Sequence, residues 1–236
     1  MSPPPDAPGP ALPDHTDDAY ARRLEAVVAG HRGDSEAAAQ FLTDSDADVR
    51  AAALGALARC GELSAAQVRS ALSDDATGVR RRAAELAPPE VDLIPMLSDA
   101  DASVVEATAA ALGERDRDAA PVRELCRVAR DHDDPLCRES AVAALGAIAA
   151  GLDTIAAGPD SAERSAAGAG HDDARARSLE VLLAAMEDRP QIRRRALLGL
   201  HQFDDDRAVD AVRASLDDRD RQVRAVAGEL LGVPVR

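Results

Sequence analysis

One short pattern of apolar and polar positions recurs along the chain. It is clearest at residues 42–57, where a leucine precedes two acidic turn residues, a valine, and then alanine and leucine at intervals of three and four. Those intervals place the alanine and leucine side chains on one face of an α-helix. The acidic and hydroxyl residues directly upstream suit a turn and a helix N-cap. The pattern therefore predicts the end of one helix, a tight acidic turn and the start of a second helix.

The central apolar residue of each copy is called the anchor below. Six copies can be aligned on the anchors Val49, Val79, Val104, Cys137, Ile192 and Val223. Successive anchors stand about 30 residues apart, a period typical of stacked helical repeats, but the gap from Cys137 to Ile192 is nearly twice as long. The long gap predicts an insertion in the connection between the fourth and fifth copies.

Apolar periodicity and caps divide the rest of the chain into predicted segments. Helices are predicted at residues 17–30, 36–42, 65–72, 79–86, 90–97, 104–112, 121–129, 137–150, 174–186, 206–216 and 221–231. Pro95 predicts a kink or a 3₁₀ turn within 90–97. Residues 1–16 are expected to be a disordered proline-rich tail, 17–150 the N-terminal repeats, 151–173 a mobile acidic insertion rich in Gly and Ala, and 174–236 further repeats on the same solenoid.

The repeated motif L-x-D-x-D-x-x-V-R-x-x-A-x-x-A-L resembles the HEAT repeat, in its phycobilisome-lyase-like subtype, over about residues 34–236. Two copies depart from it, with Val105 where arginine is expected and Arg189 at the second acidic position. The resemblance implies an all-α fold, a right-handed α-α superhelix of about six helical hairpins. It also implies that the second helices line a concave surface and that the protein binds other proteins.

Composition narrows the class of partner. The chain has 28 basic residues, all arginine, against 43 acidic residues, and a formal net charge of −15. Nucleic acid is excluded as a partner because its phosphates would be repelled. Acid-rich, lysine-free chains look like cytosolic proteins of salt-loving archaea, so we predict a cytoplasmic protein that folds marginally in dilute buffer and recovers in concentrated salt. The apolar run at 141–152 is too short to cross a bilayer, so no membrane contact is expected.

A small-residue core also makes stacking necessary. Tyr20, Phe41 and Phe203 are the only aromatic residues, so the core must consist of Ala, Leu, Val and Ile. Alanine buries little area per residue, so one alanine-rich helix pair cannot offset the entropy lost on ordering it. Each hairpin is therefore expected to depend on its neighbours.

Acidic and arginine residues around the anchors recur with the repeat. An acid at a helix start can accept free N–H groups, and an arginine one turn later can bridge to the same acid or to that of the next repeat. Because a catalytic acid occurs once whereas a structural device is copied, we interpret this set as a ladder that holds adjacent repeats in register. Its members are Asp46, Arg50, Arg80, Asp101, Asp134, Arg138, Arg193, Asp220 and Arg224.

Candidates for chemistry are few. The acidic turn at 131–134, with His132, and the group at 171–173, with His171, could chelate a cation, but solvated turns explain them better. Cys60, Cys126 and Cys137 are expected to be small buried hydrophobic residues. No histidine is followed by glutamate, which excludes the iron-binding pairs implied by a resemblance to deoxyhypusine hydroxylase. We therefore predict no catalytic, cofactor-binding or metal-binding residue and no cofactor.

Exposed positions of the second helices are the predicted partner-binding residues. They are Arg81, Glu85, Glu106, Glu139, Arg194, Leu198 and Glu229. The triplets at 80–82 and 193–195 put positive charge on an acidic molecule and are expected to dock an acidic partner. The predicted function is a non-enzymatic scaffold or adaptor, monomeric alone, that gathers protein partners in signalling or complex assembly. The alternative is an accessory subunit of a lyase-type or cofactor-handling enzyme.

Overall fold

The computed structural model describes residues 15–115, 118–156 and 161–234, and within these ranges the regular elements are helices only. The α-helices are α1 (His15–Arg32), α2 (Ser35–Ala39), α3 (Ala47–Cys60), α4 (Ala65–Ala71), α5 (Thr77–Glu85), α6 (Ala102–Gly113), α7 (Val122–Asp131), α8 (Pro135–Ala156), α9 (Ser161–Ala184), α10 (Pro190–Leu200), α11 (Asp206–Ala214) and α12 (Arg221–Leu231). Short 3₁₀ turns occupy Gln40–Thr43, Ile94–Ser98, Ala185–Glu187 and Ser215–Asp217.

Aspartate caps explain where the second helix of a hairpin begins. Asp46 accepts the backbone N–H groups of Asp48 and Val49 at the start of α3, and Asp220 accepts those of Gln222 and Val223 at the start of α12. Asp101 accepts the N–H of Ser103 in the same way at the start of α6. These carboxylates satisfy donors that have no partner within the helix, so the acidic turn forces a new helix to start there.

Residues 15–86 form one compact unit. Helix α3 lies at its centre and packs against α1, α2 and α5, while α4 packs against α5. The contact between α1 and α3 depends on small residues, because a Cβ built on Gly30 would lie 2.7 Å from the Cα of Ala56. The alanine-rich core predicted from composition is therefore packed by close backbone approach, with Val49 and Val79 fully enclosed.

Residues 87–234 form the second compact unit. Helix α8 is its centre and packs against α6, α7, α9 and α10, and α12 continues the row against α10. The anchors Val104, Cys137, Ile192 and Val223 are all completely buried. In both units helices pack against near neighbours along the chain, which confirms the predicted all-α architecture of stacked helical hairpins.

Helix α8 is longer than the predicted 137–150. Its stretch from Pro135 to Asp153 is long and apolar enough to cross a bilayer by length and composition alone, contrary to the expectation that no apolar run was long enough. Half of this stretch is buried inside the second unit. Burial of that kind is typical of the core helix of a repeat.

Two predicted segments differ from the structure. The α-helix expected at 90–97 does not form, but the 3₁₀ turn predicted from Pro95 is confirmed at Ile94–Ser98. Pro88 and Pro89 precede this turn and Pro95 lies within it, and proline removes the N–H donors that an α-helix needs. Residues 1–14 of the predicted tail lie outside the described residues, and α1 begins at His15 rather than at residue 17.

The segment predicted as an insertion, 151–173, is helical wherever the structure describes it. Helix α8 runs to Ala156 and α9 already begins at Ser161, although helical periodicity is weak there. Helix α9 is fastened by Arg175, which lies 3.1 Å from Asp153 of α8 and stacks over the Phe203 ring at 4.9 Å. The mobility of this segment remains a prediction.

Candidate functional site

Arginine–aspartate pairs, called rungs below, join consecutive hairpins in the first unit. Arg50 of α3 donates from Nε and Nη2 to both carboxylate oxygens of Asp74, at 2.9 and 2.7 Å. Its Nη1 donates to the carbonyl oxygens of Asp44 and Ser45, in the turn where its own hairpin bends. Arg22 of α1 makes a matching two-point contact with Asp44, at 2.7 and 3.1 Å. Each arginine thus ties a helix to the turn of the next hairpin.

The second unit contains two rungs of the same geometry. Arg138 donates to both oxygens of Asp188 at 2.8 and 3.0 Å, and Arg193 to both oxygens of Asp218 at 2.9 and 2.7 Å. Arg193 is 4% exposed and Asp218 13% exposed, so this pair is nearly dehydrated. Two-point pairing of this kind fixes direction as well as distance.

The carboxylates of the rungs have lowered pKa values. Hydrogen bonds from Arg22, Arg50 and Arg138 are the main cause for Asp44, Asp74 and Asp188, respectively. Burial raises the pKa of Asp218, but hydrogen bonds from Arg193 and from the backbone N–H of Asp220 outweigh it and leave the pKa lowered. All four acids are therefore charged at neutral pH.

The structure distinguishes two acidic roles that the sequence analysis combined. Asp46, Asp101 and Asp220 cap helices, and Asp134 accepts the N–H of Leu136. Arg50, Arg138 and Arg193 reach the acid of the next turn, not the acid one turn back on their own helix. Arg80 and Arg224 donate to the carbonyls of Asp74 and Asp218 in their own turns. Arg22 and the paired acids Asp44, Asp74, Asp188 and Asp218 were missed, although the acids' recurrence five or four residues before the anchors is visible in the sequence.

The junction between the third and fourth copies lacks both halves of a rung. Val105 occupies the arginine position after the anchor of the third copy, and His132 occupies the acidic position in the turn of the fourth copy. His132 accepts the N–H of Asp134 through Nδ1 at 3.1 Å, which keeps the turn closed without a carboxylate. The two departures match, since neither residue leaves an unpaired charge behind.

An open groove, called the α8 groove below, runs along the exposed side of α8 between α6 and α10. One part of it encloses about 400 Å³ and the neighbouring part about 300 Å³. Alanine and glycine form its floor, with Ala143 and Ala147 shared by both parts. The helices approach closely because a Cβ built on Gly146 would lie 2.8 Å from the Cα of Gly199. Two large apolar side chains stand at its edges, Leu136 at 52% and Leu198 at 44% exposure.

Three carboxylates and one guanidinium border the α8 groove. Glu139 of α8 pairs with Arg195 of α10 at 3.2 Å. Glu106 and Glu114 border the α6 side, and within the described part of the chain neither makes an ion pair. The groove therefore combines an apolar floor of small residues with a rim of net negative charge.

The predicted partner-binding residues are only partly brought together. Glu106, Glu139 and Leu198 all line the α8 groove. Arg194 is half-buried and lies outside the groove lining, and its neighbour Arg195 takes the place expected of it. Glu229 is exposed on α12, and Arg81 and Glu85 belong to the first unit, where they lie 3.5 Å apart on α5.

The arginine triplets differ from the expected docking points for an acidic partner. In the first unit, Arg82 pairs with Glu85 at 2.9 Å, and its guanidinium lies close to Gly55 of α3. In the second unit, Arg193 is buried in a rung and Arg195 is paired with Glu139. Two arginines of the second triplet thus have a carboxylate each, while Arg81 and Arg82 of the first triplet share the single carboxylate of Glu85, so neither triplet is a set of three free positive charges.

Chemically reactive groups are not assembled in the described ranges. No group of three or more His, Cys, Asp or Glu side chains there is placed to hold a metal ion. Burial raises the pKa of the Cys126 thiol, and burial together with the charges of Asp134 and Glu106 raises that of Cys137 to about 11. A thiol with a raised pKa is a poor nucleophile at neutral pH.

Comparisons with known proteins give likenesses of structure only. No family model matches the chain, and no curated protein matches it. A designed armadillo repeat protein is 17% identical, with coverage of 94% of each chain and a TM-score of 0.48. A phycocyanin lyase structure from Nostoc is 19% identical over 87% of this chain and 99% of that one, at a TM-score of 0.42. Human deoxyhypusine hydroxylase is 16% identical over 92% of this chain and 80% of its own, also at 0.42.

These similarities add no argument about function, because the identities are low and the TM-scores lie below 0.5. The fold class follows from the helix packing described above. The neighbours are armadillo-like and HEAT-like repeat proteins, and this chain shares with them an all-α repeat architecture.

Proposed function

We propose that this protein is a non-enzymatic scaffold that binds a segment of a protein partner in the α8 groove. The observation that carries the proposal is the groove itself: a continuous floor of alanine and glycine along α8, with exposed leucines at both edges. A surface helix normally covers its exposed face with charged side chains. Small residues there leave room for side chains from another molecule.

The size and lining of the α8 groove suit a peptide segment. Volumes of about 400 and 300 Å³ are of the order that binding clefts offer, and they accept a few side chains. Leu136 and Leu198 can each lose exposed apolar area when a partner docks, which favours association. Rigid helices on three sides lower the entropic cost of binding, because the groove is formed before the partner arrives.

The finer assignments are part of the same proposal. We infer an adaptor that acts in the cytoplasm, is monomeric alone and takes part in signalling or complex assembly. Its repeats resemble the phycobilisome-lyase-like HEAT subtype and its composition resembles that of proteins from salt-loving archaea. The alternative, an accessory subunit of a lyase-type or cofactor-handling enzyme, has no observation in the described residues that favours it.

Filling the groove tests the proposal. A peptide library is selected on the immobilised full chain, and the enriched peptides are measured by fluorescence anisotropy against wild type and Ala147→Trp. Ala147 is exposed on the groove floor, so tryptophan occupies the groove without entering the core. We expect Ala147→Trp to weaken binding about tenfold or more.

The control is Ala184→Trp, at an exposed position on α9 of the same unit and outside the groove lining. It should bind the peptides like wild type, with an unchanged circular dichroism spectrum. Peptides that bind Ala147→Trp as tightly as wild type would contradict the proposal, and so would a selection that enriches no peptide.

A further inference from the structure

The charges around the α8 groove point to the chemistry of its occupant. We propose that the groove binds a protein segment that carries basic side chains beside an apolar one. This inference rests on the proposed function and adds the partner class to it. It departs from the expectation of an acidic partner, which assumed that the arginine triplets were open basic patches.

The unbalanced carboxylates are the first argument. Glu106, Glu114 and Glu139 border the groove, and among the described residues Arg195 is the only basic one in its lining. Arg195 is already engaged with Glu139 at 3.2 Å. Glu106 and Glu114 are left without an ion pair within the described part of the chain. Guanidinium or ammonium groups entering from a partner would compensate these two charges.

Elsewhere in the repeats, arginines and carboxylates contact each other directly. Arg50, Arg138 and Arg193 are each matched by an aspartate in a rung, and Arg81 and Arg82 share Glu85. Glu106 and Glu114 border an apolar cleft without such a partner, so a basic group of another molecule can pair with them without displacing one of the protein's own arginines.

The apolar part of the groove indicates that the partner segment also carries an apolar side chain. Leu198, Ala147 and Gly199 enclose the portion between α8 and α10. Nothing charged except Arg195 borders that portion, so an aliphatic side chain can enter it without removing a carboxylate from water. The complementary segment therefore places an apolar side chain toward α10 and basic side chains toward α6.

A pair of peptides tests the inference. One is a fluorescent peptide of repeating Arg-Leu units, and the other is its Glu-Leu counterpart. Both are titrated with the full chain in anisotropy measurements. We expect the Arg-Leu peptide to bind and the Glu-Leu peptide to bind at least about tenfold more weakly. The Arg-Leu affinity should fall with added salt, because the carboxylates lie on an exposed rim.

A charge-matched pair of variants separates the groove from the overall acidity. Glu106→Gln/Glu114→Gln removes the two unpaired groove carboxylates and should weaken Arg-Leu binding about tenfold. Glu25→Gln/Glu62→Gln removes the same charge from exposed positions in the first unit and should leave the affinity unchanged. Equal effects of the two variants, or tighter binding of the Glu-Leu peptide, would overturn the inference.

The two proposals fail in different ways. In one outcome, Ala147→Trp blocks the library-selected peptides but Glu106→Gln/Glu114→Gln leaves their affinity unchanged. That outcome would contradict the basic partner and retain the groove as a binding site. Peptides of any charge that bind Ala147→Trp as tightly as wild type would show that the groove is not the binding site.

Discussion

Arg50, Arg138 and Arg193 each divide their donors between two turns. One nitrogen of each guanidinium donates to backbone carbonyls in the turn before its own helix, and two others hold the carboxylate in the turn of the next hairpin. Lysine could not replace them, because its single ammonium group lacks the planar set of donors that reaches both turns. At the residue scale, this geometry requires arginine at these three positions.

Removal of one carboxylate measures what a rung contributes. Asp218→Asn leaves Arg193, which is almost completely buried, opposite a neutral amide. Because an uncompensated buried charge is costly, we expect the free energy of unfolding to fall by about 2–4 kcal/mol. Denaturant titration of the second unit's transition gives this value. Asp217→Asn, at the exposed neighbouring position, should change it by less than about 0.5 kcal/mol, and equal losses would contradict the importance of the rung.

The same aspartate predicts a pH dependence. The pKa of folded Asp218 lies below the ordinary value of 3.8, so the folded protein binds fewer protons here than the unfolded chain does. The contribution of Asp218 to the free energy of unfolding is therefore complete at pH values above the ordinary pKa. It is lost as the pH falls through the lowered pKa of the folded state. In denaturant titrations from neutral pH to about 3, wild type should lose more stability than Asp218→Asn does. Parallel pH profiles would show that Asp218 is not responsible.

Local signals in the sequence identified the helix caps but not the rungs. Asp46 and Asp220 were predicted as helix-start acids because a cap depends on residues two and three positions away. The partner of Arg50 is Asp74, and this choice depends on how the two hairpins are rotated against each other. Arg194 and Arg195 illustrate the same limit, since one residue along a helix turns a side chain by about 100° and decides which of them reaches Glu139.

At the scale of elements, neighbouring helices are held close by residues without bulk. Gly30 lies against Ala56 between α1 and α3, and Gly113 against Ala144 between α6 and α8. Gly146 and Gly199 bring α8 and α10 together under the groove. The spacing of these helices, and with it the width of the α8 groove, follows from positions that no larger side chain can occupy.

Adding one methyl group between α8 and α10 should therefore destabilise the protein. In Gly146→Ala the new Cβ meets the backbone of Gly199 at 2.8 Å, so the helices must separate. We expect a loss of about 1–3 kcal/mol in the free energy of unfolding, even though alanine favours helix formation. Gly170→Ala on α9 meets nothing within 4 Å and should instead gain about 0.5–1 kcal/mol. The same sign for both variants in denaturant titration would rule out the close contact.

Element boundaries were predicted best where a cap or a glycine marks them. Helix α12 ends at Leu231 as expected, because Gly232 adopts the left-handed conformation that terminates a helix. Helix α9 was not anticipated before residue 174, since alanine, glycine and aspartate give its early turns no apolar stripe. Its later fastening by Arg175 and Phe203 is a tertiary contact that periodicity does not contain.

For the whole molecule, charge is the property that the sequence states most directly. A formal net charge of −15 leaves the 43 acidic residues in clear excess over the 28 arginines. Exposed acids such as Asp204 and Asp217 therefore add to an overall negative charge that is only partly compensated. The repulsion opposes folding in dilute buffer and falls when salt shortens the Debye length from about 10 Å at 0.1 M to about 3 Å at 1 M.

Thermal unfolding in potassium chloride tests this prediction. The Tm should rise from dilute buffer toward molar salt, because the exposed charges are screened more than the enclosed rungs are. Potassium sulfate at matched ionic strength is the control, since screening predicts the same rise for both salts, whereas sulfate acting on apolar burial would exceed it. A Tm that stays constant or falls in potassium chloride would contradict salt-dependent folding.

The fold class was predictable from the sequence because its motif is repeated along the chain. The α8 groove was not predictable, because the residues that form it are not repeated. Six anchors at similar spacing support one another, so a weak pattern such as that around Cys137 could still be assigned. The α8 groove depends on Glu106, Glu139 and Arg195 in three different helices, each of which occurs in one copy only. Recurrence reveals the architecture, while the differences between copies shape the α8 groove.

The rungs have a consequence for how such a chain can change its length. An internal copy that carries both an arginine and a turn aspartate can form one rung with the next copy and one with the preceding copy. Duplication or loss of such a whole copy by recombination therefore leaves every arginine and aspartate of the rungs with a partner. The junction between Val105 and His132 has neither half. A copy inserted there would present a charged rung residue to an uncharged neighbour, so we expect gene-level growth of this protein to spare that junction and to occur on either side of it.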